Sequence, residues 1–243
     1  MNTAKGARKL ATRKCFFCLQ KDNELGEREV DFHFYPGFAL CQKQKNIDAF
    51  HSSIRQIFPG ANVLEVSSKS KQPLGISLSA FNLTMSINGR QYPVETIFQS
   101  SKVFEDGGPY LDLLSVSPVK AKHDERLRTG SRLIGFIFQK KDYPIIPKTA
   151  FYDWIYCLAL CQHEDLVRDV LKYEVFTDIE FNHQKSINCQ ARSTSIFVWL
   201  ARGGKLRTAM QDIETFVKTV YSGPKGCVRQ ISLFDKEQNH DDV

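Results

Sequence analysis

The sequence lacks the short motifs that mark the common nucleotide-binding and hydrolytic folds. Neither GxxxxGK[ST] nor GxGxxG occurs, which excludes a P-loop and a dinucleotide-binding fingerprint. The absence of GxSxG excludes the nucleophile elbow of the α/β-hydrolases. The absence of HExxH excludes the zinc site of the common metalloproteases. Any chemistry must therefore come from another arrangement of side chains.

Long apolar runs are also missing. No stretch approaches the roughly 18 apolar residues that a membrane-spanning helix needs. The basic N-terminus, MNTAKGARKLATRKC, has no apolar core of a secretory signal. Seven cysteines in a chain without such a signal indicate free thiols in a reducing compartment, so we expect a cytoplasmic protein.

Metal-ligand spacing is absent as well. The six histidines are scattered, and Cys15 and Cys18 form a lone CxxC, whereas a zinc site needs a second pair or histidine partners. Cys41 is too isolated to complete such a site. We therefore expect no metal and no cofactor.

Composition indicates one folded domain with a moderately basic surface. The chain has 243 residues, of which 42% are hydrophobic, enough for a single core. A net charge of +6 permits a polyanionic partner without requiring one. We predict a basic N-terminal tail or loosely attached segment over residues 1–28, either disordered or contacting nucleic acid. The domain then covers 29–222, followed by a C-terminal extension over 223–243 that is polar at its end.

The most informative stretch runs from Leu78 to Phe104, and it begins within an alternating run that starts at Ile76. Residues 76–81 alternate between apolar and polar side chains, which predicts a half-buried strand. Asn88-Gly89 then predicts a tight hairpin. After Pro93 the spacing becomes helical and aligns Glu95, Gln99 and Lys102 at i, i+4 and i+7 on one face. Such a polar stripe beside an apolar face is either a solvated surface or the wall of a cleft.

Periodicity predicts the remaining elements. Strands are expected near 30–35, 63–66, 132–138 and 176–182. Helices are expected near 43–57, 110–128, 150–162 with Thr149 as its cap, 163–172, 191–202 and 205–221.

Three further polar segments are candidates for a site. Residues 67–71, SSKSK, combine hydroxyls and lysines that can hold phosphate, although a solvated connector is the commoner interpretation. Asp153 lies between two aromatic residues, and an acid of this kind is more often on a helix surface. Residues 178–190 carry carboxylates, amides and a lysine leading into an apolar helix, more than a surface loop requires.

The excluded motifs leave carboxylate and lysine chemistry, which suits the cleavage of glycosidic bonds. The glycosidic carbon passes through an oxocarbenium-like state, which a carboxylate can stabilise while an acid protonates the leaving group.

The order of motifs resembles the NADAR (YbiA-like) family, most closely the NADAR antitoxins associated with DarT-type DNA ADP-ribosyltransferase toxins. The general family pattern is matched by SAFN at 79–82, by GRQYPVE at 89–95 and by FQSSK at 98–102. The antitoxin branch is indicated by YPGFALCQKQK, EVSSKS, GGPYLDLL, KTAFYDW and FTDIEFN with KSINCQAR, in segments that start at residues 35, 65, 107, 148, 176 and 185. Two features depart from the widespread branch: Thr96 follows Glu95 where that branch has histidine, and the later Trp-Gly is missing.

The resemblance implies a helix-rich α+β single domain with a few short strands and hairpins, which binds ADP-ribose in a cleft. The implied reaction is hydrolysis of the N-glycosidic bond between ADP-ribose and guanine in DNA, with ADP-ribosylated DNA as substrate, ADP-ribose as product and a DarT-type toxin as the protein partner. The implied catalytic residues are Glu95, Lys102 and Asp178. The implied substrate-binding residues are Ser68, Lys69, Ser79, Phe81, Asn82, Gln99, Tyr152, Trp154, Glu180, Asn182, Lys185, Ser186, Asn188, Gln190 and Arg192.

Several alternatives stay open at this level. Lys102 either holds a negative group by charge or attacks the anomeric carbon and forms an imine. Tyr152 or Trp154 stacks on adenine, or both belong to the core. There are two alternatives to the DNA hydrolase: a non-catalytic antitoxin that binds the toxin or the modified DNA, and an enzyme that cleaves a small N-glycoside similar to a riboflavin precursor.

Overall fold

The computed structural model describes residues 9–21, 23–184 and 186–222, and it shows an α+β domain, as predicted. The strands are β1 Leu10–Leu19, β2 Glu24–His33, β3 Val63–Glu65, β4 Thr84–Ile87, β5 Arg90–Pro93, β6 Lys102–Phe104, β7 Leu133–Phe138, β8 Lys141–Tyr143 and β9 Val175–Thr177. The α-helices are α1 Leu40–Ile57, α2 Pro73–Ser77, α3 Val94–Ser100, α4 Pro118–Lys122, α5 Ala150–Leu160, α6 Glu164–Val170, α7 Gln190–Arg202, α8 Leu206–Ala209 and α9 Ile213–Tyr221. Within these residues, no helix combines the length and the apolar character needed to span a bilayer.

The largest sheet has four strands in the order β2-β1-β9-β3. β1 is antiparallel to both β2 and β9, whereas β3 and β9 are parallel. β2, β9 and β3 therefore point the same way, and their carboxyl ends meet at one edge of the sheet. The segments that follow β3 and β9 leave the sheet side by side at this edge, where the candidate site lies.

This sheet has an apolar core on each face. Successive side chains of a strand point to opposite faces, so Cys15 packs with α1 while Phe16 packs with the larger core. The larger core is built mainly by α5 and α7, whose side chains are buried along almost their whole length. The sheet is thus enclosed by α1 on one side and by α5 and α7 on the other.

The tail predicted over residues 1–28 is wrong for residues 10–21 and 23–28. Leu10–Leu19 pairs along its whole length with Glu24–His33, and Phe16 and Phe17 also pair with β9. The alternation of apolar and polar side chains is hard to recognise in β1, because the part near Leu10 carries threonine, arginine and lysine on a partly exposed hairpin. Residues 1–8 and the predicted extension over 223–243 lie outside the described residues.

Two local predictions in the segment 76–104 are corrected. The strand predicted at 76–81 is instead α2 followed by turns, because Pro73 starts a helix and Gly75 packs where a Cβ would lie only 1.9 Å from the Glu65 carbonyl oxygen. The helix predicted to reach Lys102 ends at Ser100. The hydroxyls of Ser100 and Ser101 both donate to the Ile97 carbonyl, which competes with continued helical bonding.

The hairpin predicted at Asn88-Gly89 is confirmed, with both residues at positive φ between β4 and β5. The charged helix predicted over 110–128 is broken into the 3-10 turn Leu111–Ser115, α4 and the 3-10 turn Glu125–Arg128. The last predicted helix is divided into α8 and α9.

Candidate active site

A cavity of about 500 Å³ opens at the sheet edge where β3 and β9 end. This is the size of cleft that typically holds a small-molecule ligand. The cavity is lined by Ser67, Ser68, Lys69, Ser79, Phe81, Glu95, Phe98, Gln99, Lys102, Lys122, Tyr152, Asp178, Glu180, Phe181, Ser186, Asn188 and Gln190. The polar stripe of α3 is therefore a cleft wall and not a solvated surface.

Glu95 is held in the first turn of α3, with its side chain buried in the cavity wall. Its backbone N–H donates to the Ala80 carbonyl at 2.9 Å, which ties the helix start to the preceding turn. Its Oε1 accepts a hydrogen bond from Gln99 Nε2 at 2.9 Å and faces Lys122 Nζ at 3.9 Å. A hydrogen-bond donor and a cation therefore both face Glu95 Oε1.

Two amide oxygens in the cavity wall have no hydrogen-bond partner within the described part of the chain: Gln99 Oε1 and Asn188 Oδ1. Gln99 is only 6% exposed. A buried acceptor without a donor is costly, so a ligand that brings hydroxyl or N–H donors to both amides is favoured.

Lys102 follows α3 and places its ammonium 4.8 Å from the centre of the Phe98 ring. Burial lowers the pKa of Lys102 to about 8; the positive charge of Lys122 acts in the same direction and the charge of Glu95 opposes it. The amine is therefore closer to neutrality at physiological pH than an ordinary lysine.

Asp178 comes directly after β9 and is buried in the floor of the cavity. Burial raises the pKa of Asp178 to about 8, with a smaller contribution in the same direction from the neighbouring charge of Glu65. The Glu180 backbone N–H donates to Asp178 Oδ1 at 3.0 Å. Asp178 therefore retains its proton at neutral pH far more than an ordinary aspartate does.

The loop after β3 forms one rim of the cavity and is ordered by Ser67. The Ser67 hydroxyl donates to Glu65 Oε1 at 2.7 Å and accepts from the Lys69 backbone N–H at 3.1 Å. Ser68 and Lys69 then line the cavity, where a hydroxyl and an ammonium can hold an anion.

Aromatic rings form the apolar part of the cavity. Tyr152 meets Phe98 edge to face at 5.1 Å, while Phe81 lies 5.3 Å from the Lys122 ammonium. Phe181 also lines the cavity and packs on Phe16 of β1 at 6.2 Å. These rings offer flat faces to an aromatic ligand group.

Most of the predicted site residues come together in this cavity. Its lining includes Ser68, Lys69, Ser79, Phe81, Glu95, Gln99, Lys102, Tyr152, Asp178, Glu180, Ser186, Asn188 and Gln190. Lys185 lies outside the described residues. The roles predicted for these side chains stay predictions.

Four predicted binding residues lie elsewhere. Asn82 is exposed and donates to the Ile76 carbonyl and the Ser79 hydroxyl. Asn182 accepts from the Gln184 backbone N–H. Trp154 packs in the core, 5.2 Å from Tyr143.

Arg192 is the fourth residue outside the cavity. It is buried between α5 and α7, where its guanidinium pairs with Asp153 and donates to Thr149 Oγ1 at 2.9 Å. Asp153 is 0% exposed, so its interpretation as a helix-surface acid is wrong. Thr149 precedes α5 as predicted, but its hydroxyl serves this buried cluster and does not cap the helix.

Three residues line the cavity that the sequence did not single out as binding residues: Phe98, Lys122 and Phe181. Ser67 also lines it, within the segment 67–71 considered for phosphate. Phe98 lies within the FQSSK motif, but an aromatic side chain on the apolar face of a helix usually belongs to the core. Lys122 could not be found from sequence, because it reaches Glu95 from α4, a separate helix in the region predicted as one long charged helix.

No group of three or more histidine, cysteine, aspartate or glutamate side chains in the described part of the chain is arranged to hold a metal ion.

The model of a family described as "DarT1-associated NADAR antitoxin" matches residues 11–227. No curated protein matches the chain significantly.

Proposed function

Because the chain belongs to the family of DarT1-associated NADAR antitoxins, we propose that it is an ADP-ribosylhydrolase that removes ADP-ribose from guanine bases in DNA. The family assignment made from the sequence motifs is confirmed by the match over residues 11–227. The reaction cleaves the N-glycosidic bond, and it reverses the modification that a DarT-type toxin makes. The toxin is accordingly the proposed partner of this chain.

The observation that carries this proposal is a cleft with two carboxyl groups in different environments. The Glu95 carboxylate is supported by a hydrogen bond from Gln99 and by the charge of Lys122. The Asp178 carboxyl holds its proton because burial raises its pKa to about 8. Cleavage of a glycosidic bond needs this division, since one group stabilises positive charge at the anomeric carbon and the other protonates the leaving group.

The rest of the cavity suits an ADP-ribosyl group. Gln99 Oε1 and Asn188 Oδ1 accept from ribose hydroxyls, which gives these buried atoms the donors that they lack. Ser68 and Lys69 hold the pyrophosphate. Tyr152 and Phe81 offer ring faces for adenine.

We assign Lys102 the role of nucleophile. With a pKa of about 8, about a tenth of the amine is neutral at pH 7. Its Nζ attacks the anomeric carbon while the bond to the guanine amino group breaks and Asp178 donates a proton to that nitrogen. The lysine N-glycoside opens to an imine as the ring oxygen takes the proton from Nζ. Water then hydrolyses the imine and releases ADP-ribose and the free lysine.

Borohydride trapping and the pH profile test this role. We expect reduction during turnover to leave a stable protein–ADP-ribose adduct in the wild type and none in Lys102→Ala. Because attack needs neutral Lys102 and protonated Asp178, both with pKa about 8, kcat/KM is expected to be bell-shaped with a maximum near pH 8. A lysine that only binds charge gives no adduct and a plateau below pH 8 that falls above it.

The proposed function is tested by incubating the protein with a single-stranded oligonucleotide that carries ADP-ribose on one guanine. We expect free ADP-ribose and the unmodified oligonucleotide as products. Tight binding without release would support a non-catalytic antitoxin instead. Activity on free small N-glycosides, without activity on DNA, would favour a metabolic enzyme.

A further inference from the structure

Glu65 is a buried carboxylate that the chemistry above does not use, and it accepts a hydrogen bond from Ser67 of the cavity wall. It is the last residue of β3 and is only 2% exposed. Its Oε1 accepts from the Ser67 hydroxyl at 2.7 Å and from the Ile179 backbone N–H at 2.9 Å, and its Oε2 accepts from the Thr177 hydroxyl at 2.6 Å. One side chain therefore joins the segments that leave β3 and β9 on two sides of the cavity.

The Thr177 hydroxyl has a second neighbour, His51 Nε2 at 2.8 Å. Since the hydroxyl proton points to Glu65, His51 must donate from Nε2 to the Thr177 oxygen. Burial lowers the pKa of His51 to about 4, so the imidazole is neutral and adds no charge to the cluster. Because His51 donates to the Thr177 oxygen, the Thr177 hydroxyl keeps its own proton directed at Glu65 Oε2.

Glu65 and Asp178 cannot both be ionised easily in this environment. The parallel register sets Glu65 opposite Thr177, so Asp178 is the next residue along the neighbouring strand end. Two carboxylates that share a buried region hold one negative charge between them at neutral pH. Glu65 receives three hydrogen bonds, whereas the one found for the Asp178 carboxyl among the described residues comes from the Glu180 N–H. Burial raises the pKa of Glu65 as well, but its three donors oppose that rise and stabilise its charge, so the proton stays on Asp178.

We infer that Glu65 is a positioning residue that keeps the proton on Asp178, so that Asp178 can donate it to the leaving guanine. The donation to guanine rests on the proposed function, but the location of the proton on Asp178 can be measured without turnover. Through Ser67, the same carboxylate also orders the rim that carries Lys69. Glu65 does not line the cavity itself and acts only through these neighbours.

Other ionisable groups surround Asp178 and must be separated from the effect of Glu65. They are Glu180 on the same segment, Lys122 of α4, Tyr152 and Tyr156 of α5, and Cys189 before α7. Glu180 is the best comparison, because it is also a glutamate, yet its side chain is 43% exposed and paired with Lys43 at 2.9 Å.

The experiment follows the carboxyl carbons of ¹³C-labelled aspartate by NMR as pH is raised. The signal that is absent from Asp178→Asn identifies Asp178. We expect its midpoint near pH 8 in the wild type. In Glu65→Gln the midpoint should fall by about one pH unit or more, because the neighbouring charge is removed. In Glu180→Gln it should move much less. Where the protein turns over, the pH at which kcat/KM declines should move with the midpoint.

Thr177→Val provides a second variant if Glu65→Gln does not fold. It keeps both carboxyl groups but removes the donor to Oε2, so the proton should move towards Glu65 and the Asp178 midpoint should again fall. A wild-type midpoint near pH 4, or a midpoint unchanged by the Glu65 or Thr177 substitution, would overturn the inference. If only the proposed function fails, the Asp178 midpoint and its shifts in the variants should be as expected, but no ADP-ribose should be released.

Discussion

Replacing Glu95 with glutamine is expected to reduce the release of ADP-ribose from modified DNA by about a thousandfold or more. The substitution keeps the size of the side chain but removes the negative charge that stabilises the oxocarbenium-like state. It also places an amide beside Gln99, whose Nε2 donates to Glu95 Oε1 at 2.9 Å in the wild type. The helix start should survive, because the backbone N–H of residue 95, and not its side chain, binds the Ala80 carbonyl. Single-turnover release and a thermal melt measure the two effects.

Glu105→Gln is the matched control for this experiment. Glu105 lies beyond β6, is 52% exposed and pairs with Arg132 at 2.7 Å, away from the cavity. The same chemical change there should leave the rate unchanged. If Glu95→Gln still releases ADP-ribose within about tenfold of the wild-type rate, Glu95 does not act on the reacting carbon. If it protects cells from the toxin while releasing none, protection comes from binding.

Local sequence is sufficient where short-range geometry decides the structure. Asn88 and Gly89 adopt the positive φ that a tight hairpin needs, and this preference belongs to the two residue types themselves. The position of Glu95 in the first turn of α3 follows from the change of periodicity after Pro93. These elements carry one wall of the cleft, so the local sequence is enough to identify its central carboxylate.

Sequence is insufficient where a side chain of a motif can face either the cavity or the core. Gln190 and Arg192 are two residues apart on α7, about 200° around the helix axis, so they point in nearly opposite directions. Gln190 lines the cavity, whereas Arg192 turns into the core. A motif that contains both residues does not say which of them faces the ligand. Glu65 escapes prediction for a related reason, since its partners Thr177 and Ile179 lie more than a hundred residues away in the chain.

Because Arg192 lies in the core and not in the cavity, we expect a large loss of stability when its ion pair is broken. Asp153 and Arg192 form a buried ion pair, with side-chain exposures of 1% and 6%. Asp153 also accepts from Ser193 Oγ at 2.6 Å and from the Tyr221 hydroxyl at 2.6 Å. The cluster therefore joins α5, α7 and α9. Asp153→Asn leaves a buried guanidinium without its counter-charge, and we expect a loss of about 3–5 kcal/mol in the free energy of unfolding.

Asp165→Asn is the matched control, since Asp165 pairs with Arg168 on the surface with both side chains mostly exposed. Its expected cost is below about 1 kcal/mol. Chemical denaturation measures both losses, and the melting temperature should fall by about 2–4 °C for each kcal/mol. Removing both charges together, in Asp153→Leu with Arg192→Met, should recover part of the stability, because no unpaired charge is left in the core.

The same variants decide between a structural and a ligand-binding role for Arg192. If Arg192 holds only the helices, the folded fraction of the double variant should keep the wild-type KM for modified DNA, and only the amount of folded protein should fall. This follows because the cavity-lining residue on α7, Gln190, is anchored separately by the Ala80 backbone N–H at 2.7 Å. A KM raised about tenfold or more in protein that is fully folded would place Arg192 on the ligand after all. The outcome thus distinguishes residues that hold the cleft in shape from residues that bind the ligand.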